Sequence, residues 1–312
     1  MEKYTLAQCL HKYGMESLHA YCDEYSTEFI EDDKDAVCTA LSEVLIQQKV
    51  MAQRLGILED DAYDALLELI RGNSIDNDAM IDVLDGLDLI YGSAEDGQWH
   101  ATKETEEAVS AIDEAMDQKR KNRVWLMQCL TIVQHEWADA QMDTMKKLYQ
   151  KNPETDPEAD LKELFAEIPN SETPCTMIQD SFVIRGWRSS EVFAGYRQSQ
   201  QKYDFYIPSM EEVLDLYHND FDTLDPYGIQ VKEWFLHAGA DPDDLELLLH
   251  EMWNDMNYGH TEQSILQNAE SMITYDTSEE QNDFRQKVHA WYVHARRIDM
   301  RGHSISESRK TE

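Results

Sequence analysis

The stretch from Ser278 to His303, SEEQNDFRQKVHAWYVHARRIDMRGH, carries the clearest helical pattern in this 312-residue chain. Its apolar residues recur at alternating spacings of four and three, which places them on one face of a helix of about five turns. They are Phe284, Val288, Trp291, Ala295 and Ile298. We therefore predict a structural tail helix that packs through Phe284 and Trp291 and also bears Arg285, Arg296 and Arg301.

The charge of this tail is opposite to that of the chain before it. Residues 282–303 hold five basic and two acidic residues, a net charge of +3, whereas residues 201–280 hold 19 acidic and two basic residues, a net charge of −17. Opposite charges on neighbouring helices attract one another. We therefore expect acidic side chains upstream to pair with the basic residues of the tail.

Composition predicts a folded, mainly helical protein. Hydrophobic residues make up 42% of the chain, which suffices for real cores, while Gly and Pro number only 12 and 7. With 63 Asp and Glu against 27 Lys and Arg, the net charge is −36. A surface of this sign repels polyanions, so it disfavours nucleic acid and anionic membranes as partners.

Cysteine usage and hydropathy further restrict the class of protein that we expect. The five cysteines are widely spaced and include no C-x-x-C pair, so the sequence predicts neither a disulfide framework nor a zinc site, and it contains no cofactor-binding signature. No apolar run approaches the roughly 20 residues that cross a bilayer. We expect a cytoplasmic protein with no metal, no cofactor and no membrane contact.

Two short hairpins interrupt the helical pattern. Leu87, Leu89 and Tyr91 alternate before the turn SAEDG, and residues 98–101 return; later, CTMI, QDS and FVIRGW repeat this arrangement. Helices followed by a hairpin are the order of a winged-helix module. The predicted fold is mainly α with two short β-hairpins, as tandem winged-helix-like units (1–118, including the N-terminal helices, and 119–188) followed by a helical domain (189–312).

The N-terminal segment resembles a known small module. YTLAQCLHKYGMESLHAYCDEYS (4–26), followed by DKDAVCTALSEVL (33–45), is similar to the helical module at the N-terminus of the Rho transcription-termination factor and to SAP-type modules. This resemblance covers residues 4–46. It implies, by analogy alone, contact with nucleic acid or protein.

A longer resemblance covers most of the chain. YIPSMEEVL (206–214) and RIDMRGHSISE (297–307), together with the N-terminal segment and the hairpins, resemble a group of uncharacterised proteins of Gram-positive bacteria. Some members carry, after this point, a cysteine-and-histidine zinc motif like that at the end of the SecA translocase. This chain shows no such motif there, so the resemblance implies no metal ligands, and the group brings no activity with it.

Motifs of catalysis are missing from the sequence. His135-Glu136-Trp137-Ala138-Asp139 faintly resembles the zinc-protease pattern H-E-x-x-H, but the second histidine is replaced by Asp139, and Val133 and Trp137 indicate a packed helix end. No P-loop, G-x-S-x-G or Gly-rich dinucleotide turn occurs. We predict a protein that is not an enzyme and has no catalytic residues.

One short basic run offers a candidate contact surface. In winged-helix proteins such runs contact phosphates, although Glu95, Asp96 and Asp180 make the predicted hairpins acidic. The leading hypothesis is a macromolecule-binding adaptor or regulatory protein whose partner is a protein; the alternatives are a nucleic-acid-binding transcriptional regulator and, more remotely, an acidic DNA mimic. The candidate phosphate or partner contacts are Lys119, Arg120, Lys121 and Arg123.

Overall fold

The computed structural model describes residues 4–27, 33–93, 95–112, 114–186 and 191–308. Most of these residues are helical, as predicted. The first elements are α1 (Leu6–Leu10), α2 (Met15–Glu24), α3 (Lys34–Leu45), α4 (Gln48–Leu55), α5 (Asp60–Ile70), α6 (Asp78–Gly86), β1 (Ile90–Gly92), β2 (Trp99–Ala101), α7 (Lys103–Val109) and α8 (Glu114–Ile132).

The remaining elements include a third strand that the sequence did not predict. They are a single π-helical turn (Val133–Trp137), β3 (Asp139–Gln141), α9 (Met142–Tyr149), α10 (Leu161–Ala166), β4 (Cys175–Ile178), β5 (Ser181–Ile184), α11 (Glu191–Gln200), α12 (Met210–Asn219), α13 (Pro226–His237), α14 (Pro242–Asn257), α15 (Glu262–Glu270), α16 (Ser278–His294) and α17 (Ile305–Ser308). Among the described residues after 188 every regular element is helical, which confirms the predicted helical C-terminal region. No helix in the part of the chain described is both long and apolar enough to span a membrane.

The chain forms two compact units. The first unit comprises Met1–Val124 and Glu154–Asn170, and the second comprises Trp125–Pro153 and Ser171–Glu312. The predicted boundary at residue 118 falls inside α8. The predicted boundary at 188 lies outside the described residues. The division into three consecutive domains stays a prediction beside these two discontinuous units.

Two cores fill the first unit. One lies among α1, α2 and α3, and its buried side chains are Leu6, Leu10, Leu18, Cys22, Val37, Cys38, Leu41 and Leu45. A capping box begins α1: the Thr5 hydroxyl accepts from the Gln8 backbone N–H, and the Gln8 side chain accepts from the Thr5 N–H. The other core joins α4, α5, α6 and the first hairpin, and it includes Leu55, Leu66, Leu84 and Ile90.

A buried carboxylate connects the first two helices to the chain before β1. Asp88, 3% exposed, accepts from the hydroxyl groups of Tyr13 at 2.8 Å and Tyr21 at 3.1 Å. The Lys12 ammonium lies 3.3 Å from the same carboxylate. Because each of these contacts joins residues more than 65 positions apart, they tie the N-terminal module to the rest of its unit.

Both predicted hairpins are present. In the first, β1 and β2 pair antiparallel with Ile90 opposite Ala101; in the second, β4 and β5 pair with Cys175 opposite Ile184. Strand β3 adds to the free edge of β5, so the second sheet has the order β3-β5-β4. The winged-helix relationship of these elements stays a prediction, since hairpins beside helices occur in many folds.

The basic run of residues 119–123 lies within a single helix. The structure ends α7 at Val109 and runs α8 from Glu114 through Ile132. No Gly or Pro lies between residues 114 and 132 to stop the helix. The basic run is therefore interior to a helix rather than at its start.

The tail helix packs as predicted, although it ends earlier. Phe284, Val288, Trp291, Ala295 and Ile298 are all at most 1% exposed. The helix stops at His294, because tertiary contacts take over the next carbonyls: the Asn257 amide donates to the Arg296 oxygen at 3.1 Å and the Gln200 amide donates to the Ile298 oxygen at 2.6 Å.

Glycine allows a close approach between α13 and the tail helix. The Trp291 indole packs against Gly228 in α13, where an added Cβ would lie 3.0 Å from the ring. The Phe284 ring packs 4.6 Å from that of Trp234 and 5.4 Å from that of Phe235. These contacts place the tail at the centre of the second unit.

Candidate functional site

The four basic residues predicted as contact points lie along α8 in the first unit, and carboxylates of that unit engage all of them. The Lys119 ammonium contacts Glu163 at 3.1 Å and Glu167 at 2.8 Å. The Lys121 ammonium lies 3.8 Å from Asp117. Both lysines of this basic run are therefore paired with carboxylates.

The two arginines of the run are buried, each 5% exposed. The Arg120 guanidinium donates to the Leu58 carbonyl at 2.6 Å and pairs with Asp60 and Asp117. In this position Arg120 holds the start of α8 against the loop before α5. A buried guanidinium with its donors occupied does not reach a phosphate group on the surface.

Arg123 is held in the same manner. It donates to the Ala52 carbonyl at 3.3 Å and to the carboxylate of Glu167. Although burial by itself raises the pKa of Glu167, the hydrogen bonds from Lys119 and Arg123 hold that pKa below its ordinary value. The cations of α8 therefore serve internal pairs, and the prediction that they contact phosphate gains no support from their positions.

An apolar groove lies beside this cluster, between α4, α7 and the first turns of α8. We call it the first-unit groove; it has a volume of about 510 Å³ and its walls include Ile46, Met51, Ala52, Ala108, Ala111 and Met116. Ile46 and Met116 are 44% and 39% exposed. The groove thus presents apolar surface to solvent.

Gly56 and Arg123 form part of the groove wall. A Cβ at position 56 would lie 1.4 Å from the Arg123 Nη1 atom and 2.6 Å from the Ala52 carbonyl oxygen. Only glycine therefore lets the guanidinium sit where it pairs with Glu167. The ion pair and the shape of the groove depend on the same residue.

The side chains that line the groove carry no net charge, whereas the first unit as a whole is strongly acidic. Four basic and four acidic side chains line the groove. The first unit as a whole contains 34 Asp and Glu against 12 Lys and Arg, a net charge of −22. A partner that approaches the groove therefore enters a negative potential.

The His135-Glu136 pair lies in the second unit, on the π-helical turn that follows α8. The turn ends at Ala138, whose φ of 63° is rare for a residue with a side chain. Both side chains are 5% exposed, and neither ring nitrogen of His135 nor the Oε2 atom of Glu136 has a hydrogen-bond partner. Single π-turns of this kind are frequent at functional positions.

Burial shifts both of these groups toward their neutral forms. It raises the pKa of Glu136 to about 8, against the opposing attraction of the Arg296 charge. It lowers the pKa of His135 to about 4. At neutral pH the pair is therefore a carboxylic acid beside an uncharged imidazole, both closed off from solvent.

The two segments that carried the longer resemblance meet at this turn. The Arg296 guanidinium stacks 3.6 Å from the centre of the Tyr206 ring and pairs with Glu307 at 2.8 Å and with Glu212 at 3.7 Å. Gly302, with φ of 79°, leaves room for Glu136, since an added Cβ would lie 2.6 Å from Oε2. The cluster joins 206–214, 297–307 and the π-turn into one packed centre.

The other tail residues are structural too. Arg285 forms two hydrogen bonds with Glu270, and Arg301 donates to the Tyr203 carbonyl at 2.8 Å while its guanidinium lies over the Phe205 ring. Glu270 and Glu212 both come from the acidic stretch 201–280. Acidic residues upstream thus pair with the tail, as expected from the charge pattern.

The described part of the chain does not bring a set of metal ligands together. No group of three or more His, Cys, Asp or Glu side chains there could hold an ion. His135 and Glu136 lie together on one π-turn, and the interpretation of this motif as structural stays a prediction. The five cysteines are free and buried.

Sequence patterns did not reveal the groove. Ile46, Ala111 and Met116 lie at helix ends and in loops, where periodicity has no meaning, and a groove forms only when three helices come together. The one available signal was the apolar residues at the α7–α8 junction, Ala108, Ala111, Ile112 and Met116.

Comparison with known proteins leaves these two sites to be interpreted from their own chemistry. No protein-family model matches the chain, and neither the curated proteins nor the solved structures include a match.

Proposed function

We propose that this chain is a cytoplasmic adaptor or regulatory protein, not an enzyme, and that its partner is another protein that docks in the first-unit groove. The observation that carries the proposal is the pair of exposed apolar side chains, Ile46 and Met116, at a groove of about 510 Å³. Solvent-exposed apolar surface with a polar rim is characteristic of protein interaction sites.

Electrostatics supports a protein partner over nucleic acid. A nucleic-acid site needs unpaired cations at its surface, whereas the first unit carries a net charge of −22 and its basic run is paired internally. The resemblance of residues 4–46 to Rho-type modules is compatible with protein contact, which such a resemblance also implies.

Burial of the His135-Glu136 pair supports a non-enzymatic role. The pKa values of both residues are strongly shifted, yet each residue is only 5% exposed. A substrate in solution does not contact such groups without opening of the π-turn. The groove contains none of these residues.

The test places a photo-crosslinking amino acid at Ala111, inside the groove, and in a second protein at Ala115, an exposed residue outside it. A partner crosslinked only from position 111 is identified and purified. Its affinity is then measured for the wild type, for Ala111→Trp, which fills the groove, and for Ala115→Trp. We expect about a tenfold loss of affinity for Ala111→Trp alone.

Two results would contradict the proposal. One is equal crosslinking from both positions; the other is a purified partner that binds Ala111→Trp as tightly as wild type. Binding of DNA or RNA at about 50 mM salt, weakening steeply as salt rises, would instead support the nucleic-acid alternative.

A further inference from the structure

We infer that the occupant of the first-unit groove is an amphipathic helix of the partner whose apolar face enters the groove and whose outer face carries Lys and Arg. This inference rests on the proposed function and specifies its partner.

The walls of the groove favour a helix as the occupant. Every wall comes from helices or their connecting loops, and neither strand of the first-unit sheet contributes a residue to it. An extended peptide would bind by adding to a sheet edge, which the groove does not offer. A helix needs only a trough for its side chains.

Small side chains create the trough. Ala52 on α4 and Ala108 on α7 face the space, with Ala111 beyond the end of α7. Large flexible side chains stand at its rim, where Ile46 and Met116 are exposed. Apolar side chains of a helix at spacings of three and four would pack between the rim residues, and methionine adapts readily to such contacts.

The negative charge of the first unit favours basic residues on the outer face of that helix. Lys119, Arg120 and Arg123 are already neutralised by carboxylates, so they offer little to an acidic partner. Around them the first unit has a net charge of −22; the exposed Glu107, 3.9 Å from Lys103, lines the groove together with the exposed Lys49. A cationic helix is therefore drawn toward the groove, and an acidic one is repelled.

Two labelled model peptides test the inference directly. Each has about 14 residues, or four helical turns, with leucine at the same helical positions; the remaining positions are lysine in one peptide and glutamate in the other. Fluorescence anisotropy measures their binding to the full-length wild type, to Ala111→Trp and to Ala115→Trp.

We expect the Leu/Lys peptide to bind wild type and Ala115→Trp equally, and Ala111→Trp about tenfold more weakly. We expect the Leu/Glu peptide to bind wild type at least about tenfold more weakly than the Leu/Lys peptide. The double variant Ile46→Ala/Met116→Ala, which removes only exposed side chains, should weaken Leu/Lys binding in the same direction and guards against misfolding of the tryptophan variant.

Each contrary outcome has a separate meaning. If the Leu/Glu peptide binds as tightly as the Leu/Lys peptide, and both lose affinity in Ala111→Trp, the charge inference is wrong while docking in the groove stands. If Leu/Lys binding is unchanged in both groove variants, the peptide binds elsewhere on the acidic surface and the inference is overturned. The proposed function fails separately, when the crosslinked partner itself ignores Ala111→Trp.

Discussion

Arg123 in the first unit and Glu136 in the second are equally buried, each 5% exposed, yet their charges are treated in opposite ways. Arg123 donates to Glu167 and to the Ala52 carbonyl, and only its Nε atom has no partner. Glu136 lacks a partner at Oε2, and burial raises its pKa to about 8, so it holds a proton at neutral pH. An ionisable group that is removed from water either gains a hydrogen-bonding or oppositely charged partner or becomes neutral.

The difference shows two ways in which the chain accommodates a buried ionisable group. In the first unit, partner groups of opposite charge lie beside the buried guanidinium. In the second unit, burial keeps the acid protonated and therefore neutral. Substitutions in both units test this contrast, beginning with the largest expected effect.

The largest effect should come from the pH dependence of Glu136. Between pH 4.5 and 8 the folded chain holds a proton that the unfolded chain has released, so stability falls as pH rises through this window and is level above it. We expect a loss on the order of 4 kcal/mol in wild type, absent in Glu136→Gln. Denaturant titrations followed by tryptophan fluorescence suit this measurement, since six of the seven tryptophans belong to the second unit.

Glu167→Gln is the matched control for Glu136→Gln, because it has the opposite sign. The pKa of Glu167 is held low by its partners, so its contribution is complete above its unfolded pKa and is lost as pH falls. Glu167→Gln should therefore destabilise the protein at pH 7, by about 1 kcal/mol, since the carboxylate is partly exposed. A wild type as stable at pH 8.5 as at pH 5, with an unchanged Glu136→Gln profile, would refute the contrast.

Gly56→Ala should have the next largest effect. The new methyl group occupies the position of the Arg123 guanidinium, which must leave both Glu167 and the Ala52 carbonyl. We expect a loss of about 3 kcal/mol, from overpacking and from an unpaired buried charge. Hydrogen exchange in α4 and the start of α8 should report it. Gly86→Ala, in an exposed position with no atom within 4 Å of the new methyl group, should leave exchange unchanged.

A smaller effect is expected at His135, whose pKa of about 4 lies below its ordinary value. The unfolded chain then binds the extra proton, so stability is complete above about pH 6.5 and is lost as pH falls toward 4. In a Glu136→Gln background, His135→Phe should remove an acid loss of about 2 kcal/mol. If stability falls equally toward low pH in Glu136→Gln and in the double variant, His135 does not titrate in this pH window.

The smallest effect should come from an ion pair that lies in solvent. Arg285 pairs with Glu270 on the outside of the tail helix, and Arg285 is 47% exposed at its side chain. Solvent screens such pairs. We expect Arg285→Ala to leave the thermal unfolding midpoint within error of wild type. A clear decrease would mean that exposed pairs, and not only apolar packing, hold the tail.

Much of the fold was predictable because its signals are local. The capping boxes at Thr5 and Ser209 and the start of α13 at Pro226 all appear in the structure as their sequences indicate. The hairpin ending at Ala101 was equally readable from its alternation. These features depend on residues within a few positions of one another, so the chain encodes them without its tertiary contacts.

The candidate sites were less predictable, for a geometric reason. Lys119 to Arg123 reads as a basic surface, and only the packing of α8 reveals that Glu163 and Glu167, more than 40 residues away, neutralise it. Likewise Glu136 resembles a metal or catalytic residue in sequence, and its burial beneath Gly302 is visible only in three dimensions.

The sequence by itself determined the helical class, the cap positions, both hairpins and the identity of the buried face in the tail, because each follows from spacing along the chain. Tertiary structure decided where α8 begins, that α16 ends at His294, that β3 joins the second sheet, and which charges are paired. It also produced the first-unit groove. Those outcomes depend on contacts between residues distant in sequence, whose energies compete with local preference and here outweigh it.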